Sequence, residues 1–196
     1  MAAYIWRGIP ACPSCRSEIW NHGRRGKESK LPVMAANIDF YPGMFAAGRL
    51  DPGSALLIEC MARLPAPKLM LDFACGAGIL ALAARRCWPD ARLHLLDYDA
   101  LAIMAARENI AGAEYIQGDG LASCRARYDL IVSNPPIHAG AKQDFGVVKE
   151  LLAAAPRYLT SRGHLVLVTQ KTVPIARFAP AATVLAEENG YRVWQI

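Results

Sequence analysis

The sequence predicts a doubly wound α/β domain with a mostly parallel, seven-stranded sheet that ends in an antiparallel hairpin. From Pro67 onward, short apolar runs alternate with longer segments of helical periodicity, which is the pattern of parallel strands joined by crossover helices. Near the C-terminus, Asn189-Gly190 separates two further short runs, and this dipeptide favours a tight hairpin turn. The 196 residues, 54% hydrophobic and 20% charged, suffice for one core and exclude a wholly disordered chain.

The strands are expected where the apolar runs are short and bounded by turn residues. Five runs are expected to form the parallel strands: residues 68–73, 92–97, 114–117, 128–133 and 164–169. Residues 182–186 and 191–194 are expected to form the two strands of the hairpin.

Helices are expected between the strands. The first covers residues 79–86, and the second covers residues 100–109 with Asp99 as its N-cap. We expect Leu101, Met104 and Ala105 to form the apolar face of the second helix.

A third helix is expected to begin at about Asp144. Its apolar residues recur in steps of three and four, as a buried helical face requires: Phe145, Val148, Leu152, Ala155 and Leu159. Pro156 is expected to kink or split this helix.

Most of the net charge of +5 lies at the N-terminus. Residues 1–30 contain six Lys or Arg and two Glu, or +4, whereas the other 166 residues contain 16 basic and 15 acidic side chains, or +1. Arginines interleaved with Trp6 and Trp20 suit phosphate contact and base stacking, and the alternative is a solvated, partly ordered terminus. We therefore divide the chain into a basic arm or lid, residues 1–50, and a domain, residues 51–196.

The six cysteines indicate a reducing compartment, the cytoplasm, because no secretory signal is visible and no apolar run reaches the roughly 20 residues that a membrane span needs. Disulfides are therefore not expected. Cys12 and Cys15 have the spacing of a zinc knuckle, but zinc takes four ligands and only His22 lies nearby in sequence, so no metal is assigned. Four cysteines are interpreted as small packing residues: Cys60, Cys75, Cys87 and Cys124.

Residues that can bind a ligand or take part in a reaction follow the ends of the first four predicted strands. They are the loop Asp72-Phe-Ala-Cys-Gly-Ala-Gly78, then Asp97, Asp119 and Asn134. In open α/β sheets, ligands bind beyond the carboxyl ends of the strands, where strand order reverses. Glycines let backbone amides approach a ligand and aim a helix N-terminus at it, and a carboxylate about twenty residues later can accept both ribose hydroxyls. The order of these residues therefore predicts one site for a ligand that contains a ribose.

At these motifs the chain resembles the class I S-adenosylmethionine-dependent methyltransferases, in particular the small-domain branch that includes bacterial 16S and 23S ribosomal RNA guanine-N2 methyltransferases. The resemblance runs from about Tyr41 to the C-terminus. It rests on Tyr41-Pro-Gly-Met-Phe45, Leu50-Asp-Pro-Gly-Ser54, the loop from Asp72 to Gly78, Asp97, and Tyr128-Asp-Leu-Ile-Val-Ser-Asn-Pro-Pro-Ile-His-Ala-Gly140. It implies a Rossmann-like methyltransferase fold and an enzyme with S-adenosyl-L-methionine as cofactor.

The resemblance also implies which residues contact the cofactor. They are Asp72, Ala74, Cys75, Gly76 and Gly78 for the methionine part, Asp97 for the ribose, Tyr98, Asp119 and Gly120 for the adenine, and Asn134 as a further contact.

The motif Asn134-Pro-Pro136 suits the methylation of an exocyclic amine. Such an amine is a poor nucleophile because its lone pair is delocalised into the ring. The side-chain oxygen of Asn134 and the carbonyl of Pro135 can hold the amine's hydrogens so that the lone pair points at the methyl group, which helps through orientation and electrostatics. The prolines stiffen the loop and remove competing N–H donors. The alternative is a Pro-Pro loop that only ends a strand.

Two positions depart from the family's pattern. Ile137 stands where enzymes of this type that act on a planar nitrogen usually have an aromatic residue, so a flipped base needs another stacking partner, for which Phe45 and Phe145 are candidates. Ala74 replaces the first glycine of the loop, and its small side chain makes this tolerable. The residues expected to contact the substrate are Phe45, Pro136, Ile137 and His138.

Three functions stay open. The favoured one is methylation of the exocyclic amine of guanine in RNA, probed by a steep fall of affinity with salt. Ribosomal RNA enzymes of this branch commonly carry a second, degenerate domain before the catalytic one. Here about fifty residues precede the catalytic domain. We therefore expect either that the arm replaces the degenerate domain or that the substrate is smaller. The others are an N-methyltransferase of a small heterocyclic metabolite, with the N-terminal segment as a lid, and a non-catalytic RNA- or partner-binding module. The oligomeric state is not predicted.

Overall fold

The computed structural model describes residues 50–137 and 145–196. Within them the chain forms seven strands and five α-helices. In chain order they are α1 (Pro52–Met61), β1 (Leu69–Phe73), α2 (Ile79–Cys87), β2 (Arg92–Asp97), α3 (Ala100–Asn109), β3 (Glu114–Gln117), a 3₁₀ turn (Leu121–Ser123), β4 (Tyr128–Ser133), α4 (Gly146–Tyr158), β5 (Leu159–Gln170), α5 (Ile175–Phe178), β6 (Thr183–Glu188) and β7 (Tyr191–Gln195). The arm, Cys12, Cys15, His22, Phe45 and His138 lie outside the described residues.

The seven strands form one sheet in the order β3-β2-β1-β4-β5-β7-β6. The first five strands are parallel, and β7 runs antiparallel to both β5 and β6. Asn189 and Gly190 at the hairpin turn have φ values of 47° and 84°, which is the left-handed geometry that a two-residue hairpin loop requires. The predicted doubly wound, mostly parallel fold with a C-terminal hairpin is confirmed.

Both faces of the sheet are covered, which explains why its central strands are largely apolar. Successive residues of a strand point to opposite faces. Met70 of β1 therefore joins a core cluster with the buried residues of α1, α2 and α3, while Leu69 and Leu71 join a second cluster with those of α4 and α5. The four cysteines of the described part are buried, as predicted for packing residues.

Helix α3 begins after Asp99, whose side chain accepts a hydrogen bond from the Leu101 N–H at 2.9 Å, so the predicted N-cap is confirmed. Its predicted apolar face is confirmed for Ala105 and wrong for Leu101 and Met104, which are 47% and 48% exposed. The buried face consists of Ala102, Ile103, Ala105 and Ala106. Three of these four residues are alanines, and their small side chains let the helix lie close to the sheet.

Two expectations about α4 and β5 are also corrected. Pro156 does not split α4, because it lies two residues from the end of the helix, where its missing N–H removes one intrahelical bond. Leu159 begins β5 instead of extending the helical face, so β5 starts five residues before the predicted 164–169. The added part contains Gly163, where a Cβ atom would lie 2.5 Å from the Tyr128 carbonyl oxygen.

Within residues 50–137 and 145–196, no helix is long and apolar enough to cross a membrane.

His94 of β2 joins three strands. The Tyr128 hydroxyl lies 3.2 Å from His94 Nδ1, and Glu114 Oε2 lies 3.1 Å from His94 Nε2. A neutral ring satisfies both partners by accepting from Tyr128 and donating to Glu114. Burial lowers the pKa of His94, although Glu114 opposes this change.

A lowered pKa makes the stability of the fold depend on pH at this position. The unfolded chain binds a proton at His94 more readily than the folded chain, so the free energy of unfolding falls as the pH drops through the ordinary histidine pKa of about 6.5. Urea titrations at pH 8 and pH 5.5 should therefore show a smaller loss of stability in His94→Gln than in the wild type. An equal loss in both proteins would contradict this account.

Candidate active site

The candidate site lies at the carboxyl ends of β1 and β4. From β1 the chain builds the sheet outward through β2 and β3, and then returns to place β4 on the other side of β1. The loops after β1 and β4 therefore leave in opposite directions, and a crevice forms between them. Ser133, at the end of β4, donates from its hydroxyl to the Phe73 carbonyl at 2.9 Å, which ties the two strand ends together.

The loop after β1 depends on left-handed backbone. Ala74, Gly76 and Gly78 have φ values of 55°, 53° and 82°. A Cβ atom on Gly78 would lie 2.5 Å from Ile110 Cδ1, whereas one on Gly76 would meet nothing within 4 Å. Gly78 is therefore needed for close packing of the loop, and Gly76 leaves open space above the backbone. Ala74 is accommodated, although left-handed backbone is costly for residues with a Cβ.

Asp97, the last residue of β2, fixes this loop. Its Oδ2 accepts from the Gly76 N–H at 2.9 Å, and its Oδ1 accepts from the Asp99 N–H at 3.0 Å. The side chain is 7% exposed, and the next residue, Tyr98, is 69% exposed. The carboxylate thus links the glycine loop to the start of α3, beside an aromatic ring that is open to solvent.

Asp72 supports the loop from below. Its side chain is fully buried, and Oδ2 accepts from the Ala81 N–H in the first turn of α2 at 3.0 Å. Among the described residues, Oδ1 has no hydrogen-bond partner. Burial raises the pKa of Asp72 well above its ordinary value, and the nearby Asp97 carboxylate adds to this effect. Cys75 is also buried, and burial raises the pKa of its thiol.

The turn after β3 is hydrogen-bonded to the backbone of Asp97. The Gly118 N–H donates to the Asp97 carbonyl at 3.0 Å. Asp119 is exposed, and Gly120 has a φ of 71° with open space where a Cβ would lie. The structure therefore brings the ends of β1, β2 and β3 to one side of the crevice, as the sequence predicted.

Asn134 follows β4 on the other side of the crevice, and its amide is held by α1. The Nδ2 atom lies 2.8 Å from Asp51 Oδ2 and 2.9 Å from Ser54 Oγ. Asp51 is the N-cap of α1, accepting from the Ser54 N–H at 2.8 Å, and its Oδ1 accepts from the Tyr191 hydroxyl at 3.3 Å.

The sequence alone indicates no role for Asp51, Ser54 or Tyr191 in the site. The Asp-Pro-Gly-Ser pattern before an apolar run is a signal for a helix N-terminus, which finds the cap but not its contact with Asn134. Tyr191 lies 140 residues from Asp51, and no local pattern indicates their contact.

The three residues that follow Asn134 differ in their exposure to solvent. Pro135 is buried, Pro136 is exposed and Ile137 is half-buried against the second core cluster. Phe145 packs there too, with its ring centroid 6.0 Å from that of Phe178.

The strand order, the glycine loop fixed by Asp97 and the Asn-Pro-Pro segment at the switch point define the class: a Rossmann-like, class I methyltransferase domain. The chain belongs to the methyltransferase small domain family, whose model matches residues 36–195.

Known proteins agree with this assignment. The chain is 41% identical over 161 residues to ribosomal RNA small subunit methyltransferase C of Ectopseudomonas mendocina, covering 78% of this chain and 48% of that protein. The T. thermophilus 16S rRNA N2 G1207 methyltransferase, solved with AdoMet and guanosine, superposes with a TM-score of 0.70 at 25% identity, covering 80% of this chain and 45% of that one. The fold is also shared with a ribosomal protein L11 methylase from Lactobacillus delbrueckii, with a TM-score of 0.60 and 21% identity over 75% of this chain and 82% of that one. The chain spans about half the length of the curated relatives it matches.

The glycine loop yields a stability prediction. Gly78→Ala combines left-handed strain with a clash against Ile110, so we expect it to lower the free energy of unfolding by about 2–4 kcal/mol. Gly112→Ala is the matched control, because Gly112 has a φ of 67° but open space around it, and it should cost only about 1 kcal/mol. Denaturant titration measures both, and equal losses would show that close packing at Gly78 does not matter.

Proposed function

We propose that this chain is an S-adenosylmethionine-dependent N-methyltransferase that methylates the exocyclic amine of guanine in ribosomal RNA. The observation that carries the proposal is the placement of Asn134, with its amide nitrogen anchored, across the crevice from a glycine loop held by Asp97. The relatives named as ribosomal RNA methyltransferases, and the neighbour solved with AdoMet and guanosine, support the choice of reaction and base.

The residues on the Asp97 side suit the cofactor. Gly76 and Gly120 leave open space above left-handed backbone, so a ligand can approach the main chain closely. Asp97 has lone pairs beyond its two backbone bonds with which to accept ribose hydroxyls, and the exposed ring of Tyr98 offers a face for adenine. When bound, S-adenosylmethionine supplies an electrophilic methyl group.

Two assigned residues act from inside the protein. The Asp72 carboxylate is buried, so we propose that it serves the methionine part by holding the loop and the start of α2. We propose the same supporting role for Cys75 in the loop. The backbone of Ala74 and Gly78, and the side chain of Asp119, complete the proposed cofactor contacts.

On the other side, Asn134 and Pro135 prepare the amine. Their oxygens accept the two hydrogens of the exocyclic amine and direct its lone pair into the crevice, which stabilises the transition state as positive charge develops on nitrogen. Transfer forms the N–C bond as the S–C bond breaks, and one amine proton then leaves to solvent. We place the base against four residues: Phe45, Pro136, Ile137 and His138.

The rest of the chain fits RNA as the substrate. The charge of +4 on residues 1–30 suits phosphate binding, and we propose that residues 1–50 hold RNA while residues 51–196 carry out catalysis in the cytoplasm.

The substrate class is tested by transfer of a labelled methyl group. Purified protein is incubated with labelled S-adenosylmethionine and cell extract, which is then separated into RNA, protein and small molecules. We expect label in RNA as N2-methylguanine, with activity that falls steeply as salt increases. Label confined to small molecules would replace RNA by a heterocyclic metabolite, and failure to bind the cofactor would indicate a non-catalytic module.

Asn134→Ala tests the catalytic side. We expect kcat to fall by about 10²–10³, because contacts that mature in the transition state are lost, while the cofactor Kd changes less than about twofold. Single-turnover methyl transfer measures the loss of rate, and calorimetry measures the cofactor Kd. Unchanged turnover would remove Asn134 from the mechanism.

Asp97→Ala tests the cofactor side. The cofactor Kd should rise about ten- to hundredfold, because charge-assisted hydrogen bonds to the ribose and the anchor of Gly76 are both lost. Asp99→Asn is the control, since its side chain caps α3 without touching the loop, and its Kd should match the wild type. A normal Kd in Asp97→Ala would place the cofactor elsewhere.

A further inference from the structure

Asn134 works in the proposed reaction only if its amide faces the right way. The planar amide carries an acceptor oxygen on one side and a donor nitrogen on the other, and a flip exchanges them. With the nitrogen toward the crevice, the group would repel the hydrogens of an amine. Some feature of the protein must therefore select the orientation, and this question rests on the proposed function.

The Asp51 carboxylate can make this selection. An ionised carboxylate only accepts hydrogen bonds, so the atom that faces Asp51 Oδ2 at 2.8 Å has to be the amide nitrogen. The second hydrogen of Nδ2 points to Ser54 Oγ at 2.9 Å, and Ser54 is buried. Both hydrogens thus have partners in the segment at the start of α1, and Oδ1 lies on the other arm of the planar amide.

Asp51 is itself held by three donors from two elements. Its Oδ2 accepts from the Ser54 N–H as well as from Asn134, and its Oδ1 accepts from the Tyr191 hydroxyl of β7. The Tyr191 ring lies against Gly53, where a Cβ atom would come within 2.8 Å of Cδ1. Burial and the Asp51 carboxylate raise the pKa of Tyr191, which keeps this hydroxyl a donor.

We propose that Asp51 is a positioning residue that locks the Asn134 amide with its oxygen toward the substrate amine, and that Tyr191 holds Asp51 in place. Helix α1 and strand β7 thereby serve the reaction without contacting the reacting atoms. The Asp-Pro-Gly-Ser sequence before α1 has a chemical role in addition to capping the helix.

Asp51→Ser is the decisive variant, because serine is an equally good N-cap but is one atom shorter and has a hydroxyl hydrogen to donate, so it no longer presents a carboxylate oxygen to the Asn134 amide, which can then flip. Asp129→Ser is the matched control. Asp129 accepts from the Lys68 and Leu69 N–H groups and from the Thr160 hydroxyl. It lies near the amino end of β4, whereas Asn134 follows the carboxyl end of the same strand.

The first measurement needs no catalysis. In ¹⁵N-labelled protein without cofactor, the side-chain amide signals of Asn134 are assigned by their loss in Asn134→Ala. Asp51→Ser should shift them and speed their exchange with water, and Asp129→Ser should leave them in place. Signals that are unchanged in Asp51→Ser would overturn the proposed lock, whatever the substrate is.

The second measurement is a double-mutant cycle on kcat for methyl transfer to RNA. Asp51→Ser should lower kcat about ten- to hundredfold in the wild type, because a misplaced Asn134 amide no longer orients the amine, but less than about twofold in an Asn134→Ala background. Equal effects in both backgrounds would show that Asp51 acts only on the fold. If Asn134→Ala itself retains full kcat, the proposed function fails, and the amide signals still decide whether Asp51 locks Asn134.

Discussion

The site depends on one constraint: strand β1 is buried on both faces and hydrogen-bonded to parallel neighbours on both edges. No side chain of such a strand reaches solvent, so polar chemistry is confined to the loops at its end. The bond from Ser133 to the Phe73 carbonyl aligns β4 with that end. This alignment sets the relative position of the loops that carry Gly76 and Asn134, because these loops leave from the two strand ends.

Asp97, which we propose to bind the ribose, also has a structural role. Its two oxygens accept the N–H groups of Gly76 and Asp99, which shapes the loop after β1 and the start of α3. A buried carboxylate that accepts backbone N–H groups is well satisfied, whereas the Oδ1 atom of Asp72 beneath it has no partner among the described residues. The loop is thus already ordered before any ligand binds, and a preformed site lowers the entropic cost of binding.

The sequence predicted those features that short-range chemistry decides. Asp99 caps α3, Asn189-Gly190 makes the hairpin turn, and apolar runs mark the strands. The face of α3 was mispredicted at Leu101 and Met104, which are exposed, because the side that packs on the sheet consists of three alanines and Ile103. The partners of Asn134 were not predicted, since Asp51 lies 83 residues away and neither residue is unusual in its own segment.

The two sides of the crevice consequently differ in how they are assembled. The Asp97 side is built from segments joined by consecutive β-α units, and its bonds span about twenty residues, as between Gly76 and Asp97. The Asn134 side needs α1, the end of β4 and strand β7, whose bonds span 83 and 140 residues. Contacts of such long separation form only after the chain entropy of large loops has been overcome. The C-terminal hairpin therefore does more than complete the sheet: through Tyr191 it joins the first helix to the last strand, and the anchored amide of Asn134 exists only when both ends of the described domain are in place.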